Sequence, residues 1–291
     1  MNELEKLRKQ IMKKQDIVIL IGIPIILFLI FGCKNLETSD VIWTVILVVL
    51  FMFIISKILT YVDISKYNKM YKEQFVLNVL SKHFTDLTLD TSQGIDEEAI
   101  DGLQIMKMGN RYYSNDHLTG KYKNIHFEVS DVVINHVTED SDGGKTTTTY
   151  FRGQWFIFDF YKEFHTNVAI VENNFYYKTI PSTMKKIELE DVAFHNMFEV
   201  YGEDEHEVFY LLTPKVMENL RKANETITGS MLIGFKDNKL YIGLNDDYDF
   251  FEPDIYTEID NEKETSKIEK DLSVIINFID ILELDNDYFK N

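Results

Sequence analysis

The 291-residue chain carries 48 acidic against 30 basic side chains, a formal net charge of −18. That balance argues against nucleic acid as a partner, because neutralising phosphates needs clustered lysine and arginine. A single cysteine, Cys33, excludes an intramolecular disulfide framework and any cysteine-rich zinc site.

Residues 1–16 form a basic leader with Lys6, Arg8, Lys9, Lys13 and Lys14. From Ile17 to Cys33 no residue is charged, a run near the lower limit for crossing a hydrocarbon core of about 30 Å. A second uncharged run, Val41 to Ser56, extends to Val62 when Lys57 lifts its ammonium to the headgroups. Gly22 and Pro24 weaken a helix in water but are tolerated in a membrane helix supported by a neighbour. Residues 17–62 therefore read as a two-helix transmembrane hairpin, its polar link Lys34 to Asp40 too short for a domain. Lys57, Lys66, Lys69 and Lys72 follow the second run, whereas the link has only Lys34. By the positive-inside rule both termini are cytoplasmic, in a multi-pass protein of the cell (inner) membrane. The basic start and Gly32-Cys33 also resemble a lipoprotein signal with Cys33 acylated. Phe31 is bulky for that cleavage, however, and the second apolar run follows at once, so Cys33 reads as an interfacial residue.

Residues 63–95 read as a helical stalk and linker. Tyr67, Tyr71 and Phe75, then Leu77, Leu80 and Phe84, recur at helical steps, either continuing the second span or forming a separate amphipathic helix. From Lys57 onward the chain holds 24 basic and 43 acidic residues, so the part beyond the hairpin is strongly acidic.

Residues 96–291 read as one cytoplasmic α+β domain, a mainly antiparallel sheet with packed helices. Asp96, Glu97 and Glu98 place negative charge at the start of a short helix through Ile105. Asn110 to Asn124 reads as a loop or irregular edge. Ile125, Phe127, Val129, Val133 and Val137 share one face of an alternating run broken at Asp131, and Tyr150 to Phe160 is a second, aromatic strand. The two form a long hairpin with its tip at Thr138 to Thr149. Gly144-Lys145-Thr146 in that tip is not a phosphate loop, since the earlier glycine it requires is Glu139. Val168 to Val171 supplies a third strand, Leu189 to Phe198 a helix, and Phe198 to Tyr201 a brief extended passage. Thr213-Pro214 suits the N-cap and first residue of a helix that turns Val216, Met217 and Leu220 toward a core. Ser230 to Phe235 and Leu240 to Leu244 flank Lys236-Asp237-Asn238-Lys239 as a tight hairpin. The closing helix spaces Ile268, Leu272, Ile275, Ile279 and Leu282 for packing on the sheet.

The densest group of chemistry-bearing residues is Glu203, Asp204, Glu205, His206 and Glu207, with His195 upstream. Negative charge here suits the first turn of a helix through Leu212. A zinc-hydrolase pattern is absent, because Tyr210 stands where the second histidine is required. No nucleophile, cofactor-binding pattern or metal set is read from the remaining residues.

Phe151-Arg152-Gly153-Gln154-Trp155-Phe156, Phe160, Phe164, Phe198-Glu199-Val200-Tyr201-Gly202-Glu203-Asp204-Glu205, Tyr210-Leu211-Leu212-Thr213-Pro214 and Phe250-Phe251-Glu252-Pro253 together resemble a bacterial family of membrane proteins catalogued as a domain of unknown function. The resemblance implies two initial membrane spans and genes near those of the LemA family. It implies no catalytic residue. The expectation is a membrane-tethered interaction or regulatory module with the lipid bilayer and a protein as partners. The alternative is a membrane-bound enzyme or ligand-binding protein with a site near His195 and Glu203 to Glu207.

Overall fold

The computed structural model describes residues 2–32 and 38–284, with the backbone alone at residues 2, 38 and 160–164. Cys33 and link residues 34–37, with the interfacial and acylation readings attached to them, lie outside the described residues. The chain divides into two units, one of Met1–Val76 with Glu252–Glu264, the other of Leu77–Phe251 with Thr265–Asn291.

In the first unit, α1 (Asn2–Gly32) and α2 (Thr38–Tyr71) are long helices paired with each other. At about 1.5 Å per residue they extend roughly 46 Å and 51 Å, ample for a hydrocarbon core. The basic leader belongs to α1 and runs into the apolar stretch without a break, Pro24 included. Two of its cations are held by carboxylates: Arg8 is buried on Glu5 at 2.8 Å, and Lys14 pairs with Asp63 of α2 at 2.6 Å. Helix α2 runs on through a π-helical turn, Lys72–Val76, so the stalk continues the second apolar run. The Glu252–Glu264 segment is strapped to both helices. Arg8 donates to Ile255 O at 3.5 Å, Asn68 to Glu252 at 3.3 Å and the Tyr71 hydroxyl to Glu264 at 2.6 Å, while Lys72 pairs with Glu252.

The second unit opens with α3 (Leu77–Leu80) and is built on a seven-stranded sheet. Strand β1 (Thr85–Asp90) pairs with β2 (Arg111–Tyr122), β2 with β3 (Ile125–Glu139), and β3 with β4 (Lys145–Glu172), all antiparallel. The far end of β4 pairs with β6 (Phe198–Gly202), which pairs with the two-residue β5 (Lys185–Lys186). Along its other edge β4 pairs with β7 (Ser230–Asn245). Helices α4 (Glu97–Asp101), α5 (Val192–His195), α6 (Glu205–Leu211), α7 (Pro214–Glu225) and α8 (Asn261–Ile281) complete the order. The α+β reading holds, and so does the β3–β4 hairpin, with Asp140 to Gly144 as its turn.

Several local expectations are corrected. Asn110 to Asn124 is no loop: the turn-forming Asn115 and Asp116 are absorbed by a bulge, Asp116 taking φ 59°, and β2 resumes at Leu118. The first helix ends at Asp101 because the chain turns at Gly102, and the Leu189 to Phe198 helix shrinks to Val192–His195 behind an Asp191 cap. Val168 to Val171 is the far end of β4. Residues Ser230 to Leu244 make one strand instead of a hairpin. Asp237, at φ 56°, forms an irregularity where β4 advances from Asp159 to Val168 while β7 advances only from Lys239 to Phe235.

The sheet is covered on both faces, which explains why the alternation along β3 is imperfect. On one face Val132, Ile134, Phe151, Trp155 and Ile157 pack with Ile100, Leu103 and Met106. On the other, Phe127 and Val129 lie beside Phe158 and Phe156, whose rings meet Phe278 of α8 at 6.2 and 5.2 Å. Ile268, Leu272, Ile275 and Ile279 of α8 are all buried, as its periodicity requires.

Gly153, where β4 lies between β3 and β7, has φ 150°, and a Cβ there would strike the backbone oxygen of Leu244. Gly153→Ala is expected to lower unfolding free energy by about 1–3 kcal/mol through backbone strain, measured by chemical denaturation of the detergent-solubilised chain.

Candidate functional site

The acidic segment is built around a helix start. Asp204 takes extended backbone angles and its carboxylate accepts from His206 N at 2.7 Å and Glu207 N at 3.4 Å, capping α6. Glu207 turns back to β4, accepting from Thr166 N at 3.1 Å and Thr166 Oγ1 at 2.7 Å. Glu203, Glu205 and His206 are exposed. His195 ends α5, with its Nδ1 3.5 Å from Glu188. No hydrogen bond or ion pair joins His195 to the Glu203 to Glu207 group among the described residues. Nor is any group of three or more histidine, cysteine, aspartate and glutamate side chains there arranged to hold a metal. Thr213 caps α7 through Val216 N at 3.3 Å. Beside these caps, exposed Phe209 and Tyr210 border a concavity of about 720 Å³ with Val216 and Leu282 on its wall.

A second set of polar groups, hidden in the sequence, lies inside the α8-facing core. Asp131 of β3 stands opposite Gln154 of β4, and both are buried. Asp131 Oδ1 accepts from Gln154 Nε2 at 3.2 Å and from Phe250 N at 3.1 Å. Asp271 of α8 accepts from Phe251 N at 3.0 Å and from the Tyr248 hydroxyl at 3.0 Å. Asp246 Oδ1 takes Tyr248 N at 3.1 Å, and Gln154 Nε2 also reaches Tyr248 O. Two carboxyl groups and an amide thus fasten the 246–251 loop to two strands and a helix, and Asp246 braces the loop from within. The one signal in the sequence was the broken alternation at Asp131.

Burial pushes the Asp131 carboxyl well above the ordinary range, with Asp116 and Asp249 adding like charge. Among the described residues Asp131 Oδ2 and Gln154 Oε1 meet no hydrogen-bond donor, and a carboxyl proton on Asp131 removes the charge that burial penalises. Burial likewise raises Asp271, and raises Asp246 to about 6. Glu128 goes the other way: its hydrogen bond with His117 at 3.1 Å and the nearby Lys239 hold it at about 2.

The structural class is therefore an α+β domain, its long antiparallel sheet buried on both faces, in a chain that also carries two helices long and apolar enough to cross a membrane. Residues 149–284, from within β4 to just beyond α8, match the model of a family described as a protein of unknown function (DUF3137). The expected likeness to a domain of unknown function is borne out over that stretch, which contains the motifs quoted above and excludes the hairpin. No curated protein matches the chain. Among solved structures, the crystal structure of the mycobacterial trehalose monomycolate transport factor A, TtfA, is similar over 75% of this chain and 94% of that one, at 8% identity and a TM-score of 0.39. A similarity that remote does not extend to function.

The carboxyl groups give a pH dependence with a definite sign. A raised folded-state pKa means the folded chain binds the proton more tightly, so this stability is complete below about 3.8 and is lost as pH climbs through the folded value, about 6 for Asp246. Glu128 has the opposite sign, its stabilisation complete above its ordinary 4.5 and lost as pH falls toward about 2. Between pH 5 and 8 the buried aspartates dominate this balance. Asp131→Asn keeps the Oδ1 acceptor and cannot ionise. It is expected to raise the melting temperature at pH 8 by roughly 3 °C or more, with a smaller gain at pH 5, in calorimetry of the solubilised chain.

Proposed function

We propose that the protein is a membrane-anchored interaction or regulatory module, with both termini and the acidic α+β domain on the cytoplasmic face of the cell membrane. The observation that carries this reading is the bare apolar surface of the helix pair. Leu20, Phe28 and Leu47 are each more than 60% exposed, within the uncharged runs of the two helices. Soluble proteins rarely leave so large an apolar surface in water, and a bilayer supplies the missing cover. Lysine and arginine on both flanks, against a lone lysine in the link, support the orientation. The net negative charge of the chain beyond the hairpin supports a protein partner over nucleic acid, and the exposed Phe209–Tyr210 pair supports a contact at the end of α6, beside α7.

The lone cysteine makes the orientation directly testable. A membrane-impermeant maleimide is expected to label Cys33 in intact spheroplasts, while Tyr176→Cys in a Cys33→Ser background, at a position 88% exposed, labels only after permeabilisation. Labelling at position 176 from outside would reverse the topology. For the partner, a photoreactive amino acid at Tyr210 is expected to give a discrete cross-linked product in living cells, whereas the same probe at Tyr176 gives none. Equal outcomes at the two positions would remove the α6–α7 contact.

A further inference from the structure

The hairpin unit contains a cavity of about 460 Å³, within the usual range for small-molecule sites. Val18 of α1, Met52 and Phe53 of α2, and Ile255 of the strap supply apolar walls. Ser56 and Lys57 also line it, where α2 passes from uncharged to charged sequence. Polar contacts keep the strap in place over the groove: Arg8 to Ile255 O, Arg8 to Glu258 at 3.9 Å, and Asn68 to Glu252. Buried Thr60, one turn beyond Ser56, has its hydroxyl engaged by Ser56 O at 2.7 Å.

The chemistry of the lining is two-sided. Its apolar part would forfeit dispersion contacts if left empty, and in a bilayer the neighbouring molecules are acyl chains. Its charged part is Lys57, exposed and 5.4 Å from the Phe53 ring centroid. Lys14, the other cation near this level, is already held by Asp63 at 2.6 Å. Among the described residues no carboxylate pairs with Lys57, so its ammonium is the group at the cavity suited to an anion. An alkyl chain and a phosphate joined in one molecule at the level of the headgroups describe a phospholipid.

We propose that this cavity binds an anionic phospholipid, one acyl chain lying against Val18, Met52 and Ile255 and the headgroup phosphate meeting Lys57. The site rests on the membrane reading above and adds lipid selectivity to it. A bilayer merely surrounding the helices would show no preference for headgroup charge.

The test is native mass spectrometry of the full-length chain, extracted in mild detergent and offered phosphatidylglycerol or phosphatidylcholine with identical acyl chains. The wild type is expected to retain one phosphatidylglycerol at a collision energy that strips phosphatidylcholine. Lys57→Gln should lower phosphatidylglycerol retention at least fivefold, Lys57→Arg should preserve it, and Met52→Trp should abolish it by filling the cavity. Equal retention of the two lipids, or undiminished selectivity in both Lys57→Gln and Met52→Trp, overturns the proposal while leaving the anchor intact. A wild-type chain absent from the carbonate-resistant membrane fraction overturns the membrane reading and the lipid site together.

Discussion

The domain depends on β4. Over Lys145–Glu172 it is the common partner of β3 and β6 on one edge and of β7 on the other, so three of the other six strands take their position directly from this one segment. Aromatic and β-branched residues make such a run an efficient strand former, and their alternation feeds two different cores. Trp155 and Ile157 belong to the face covered by the segment after β1, Phe156 and Phe158 to the face covered by α8. The unequal advance of β4 and β7 between their two paired stretches shows how one strand serves partners of different length. The surplus residues are confined to the interval after Asp159, and pairing is regular on either side.

A core covered on both faces leaves little access for water, so each polar group inside it must find a protein partner or shed its charge. Asp131 and Asp271 accept backbone donors of Phe250 and Phe251, and this brings two aromatic side chains into the core, Phe250 against Phe156 and Phe251 against Phe250. The same polar contacts fix where the chain leaves the sheet before entering the Glu252–Glu264 strap. Charge placed at a helix start behaves differently: Asp204 remains near water, where it satisfies two amide donors and meets the favourable end of the helix dipole. Carboxyl groups thus have unlike consequences, decided by what surrounds them.

The hairpin unit follows another logic. Its apolar side chains face outward and its polar contacts gather at the end where the leader, the stalk and the strap meet. Lipid is the solvent that such a surface suits, and the strap gives the helix pair a third wall that two helices alone lack. Anchor and lipid-selective cavity would then be made from the same residues.

What the sequence by itself determined is whatever depends on neighbours within a turn or two of chain: the two apolar runs, the Asp204 and Thr213 caps, the buried stripe of α8 and the β3–β4 hairpin. Each rests on local spacing or on a side chain reaching its own backbone. What only the tertiary structure decided involves partners far along the chain. Residues Arg111 to Tyr122 look like a loop until a bulge beside β3 absorbs Asn115 and Asp116, and Ser230 to Asn245 looks like a hairpin until both halves are seen to pair with β4. Of the residues nominated for chemistry, Asp204 and Glu207 were legible as a helix start, whereas the union of Asp131, Gln154, Asp246 and Asp271 was not. Their positions span 140 residues, and no periodicity relates a carboxyl group in a strand to the loop amides it holds in the folded core.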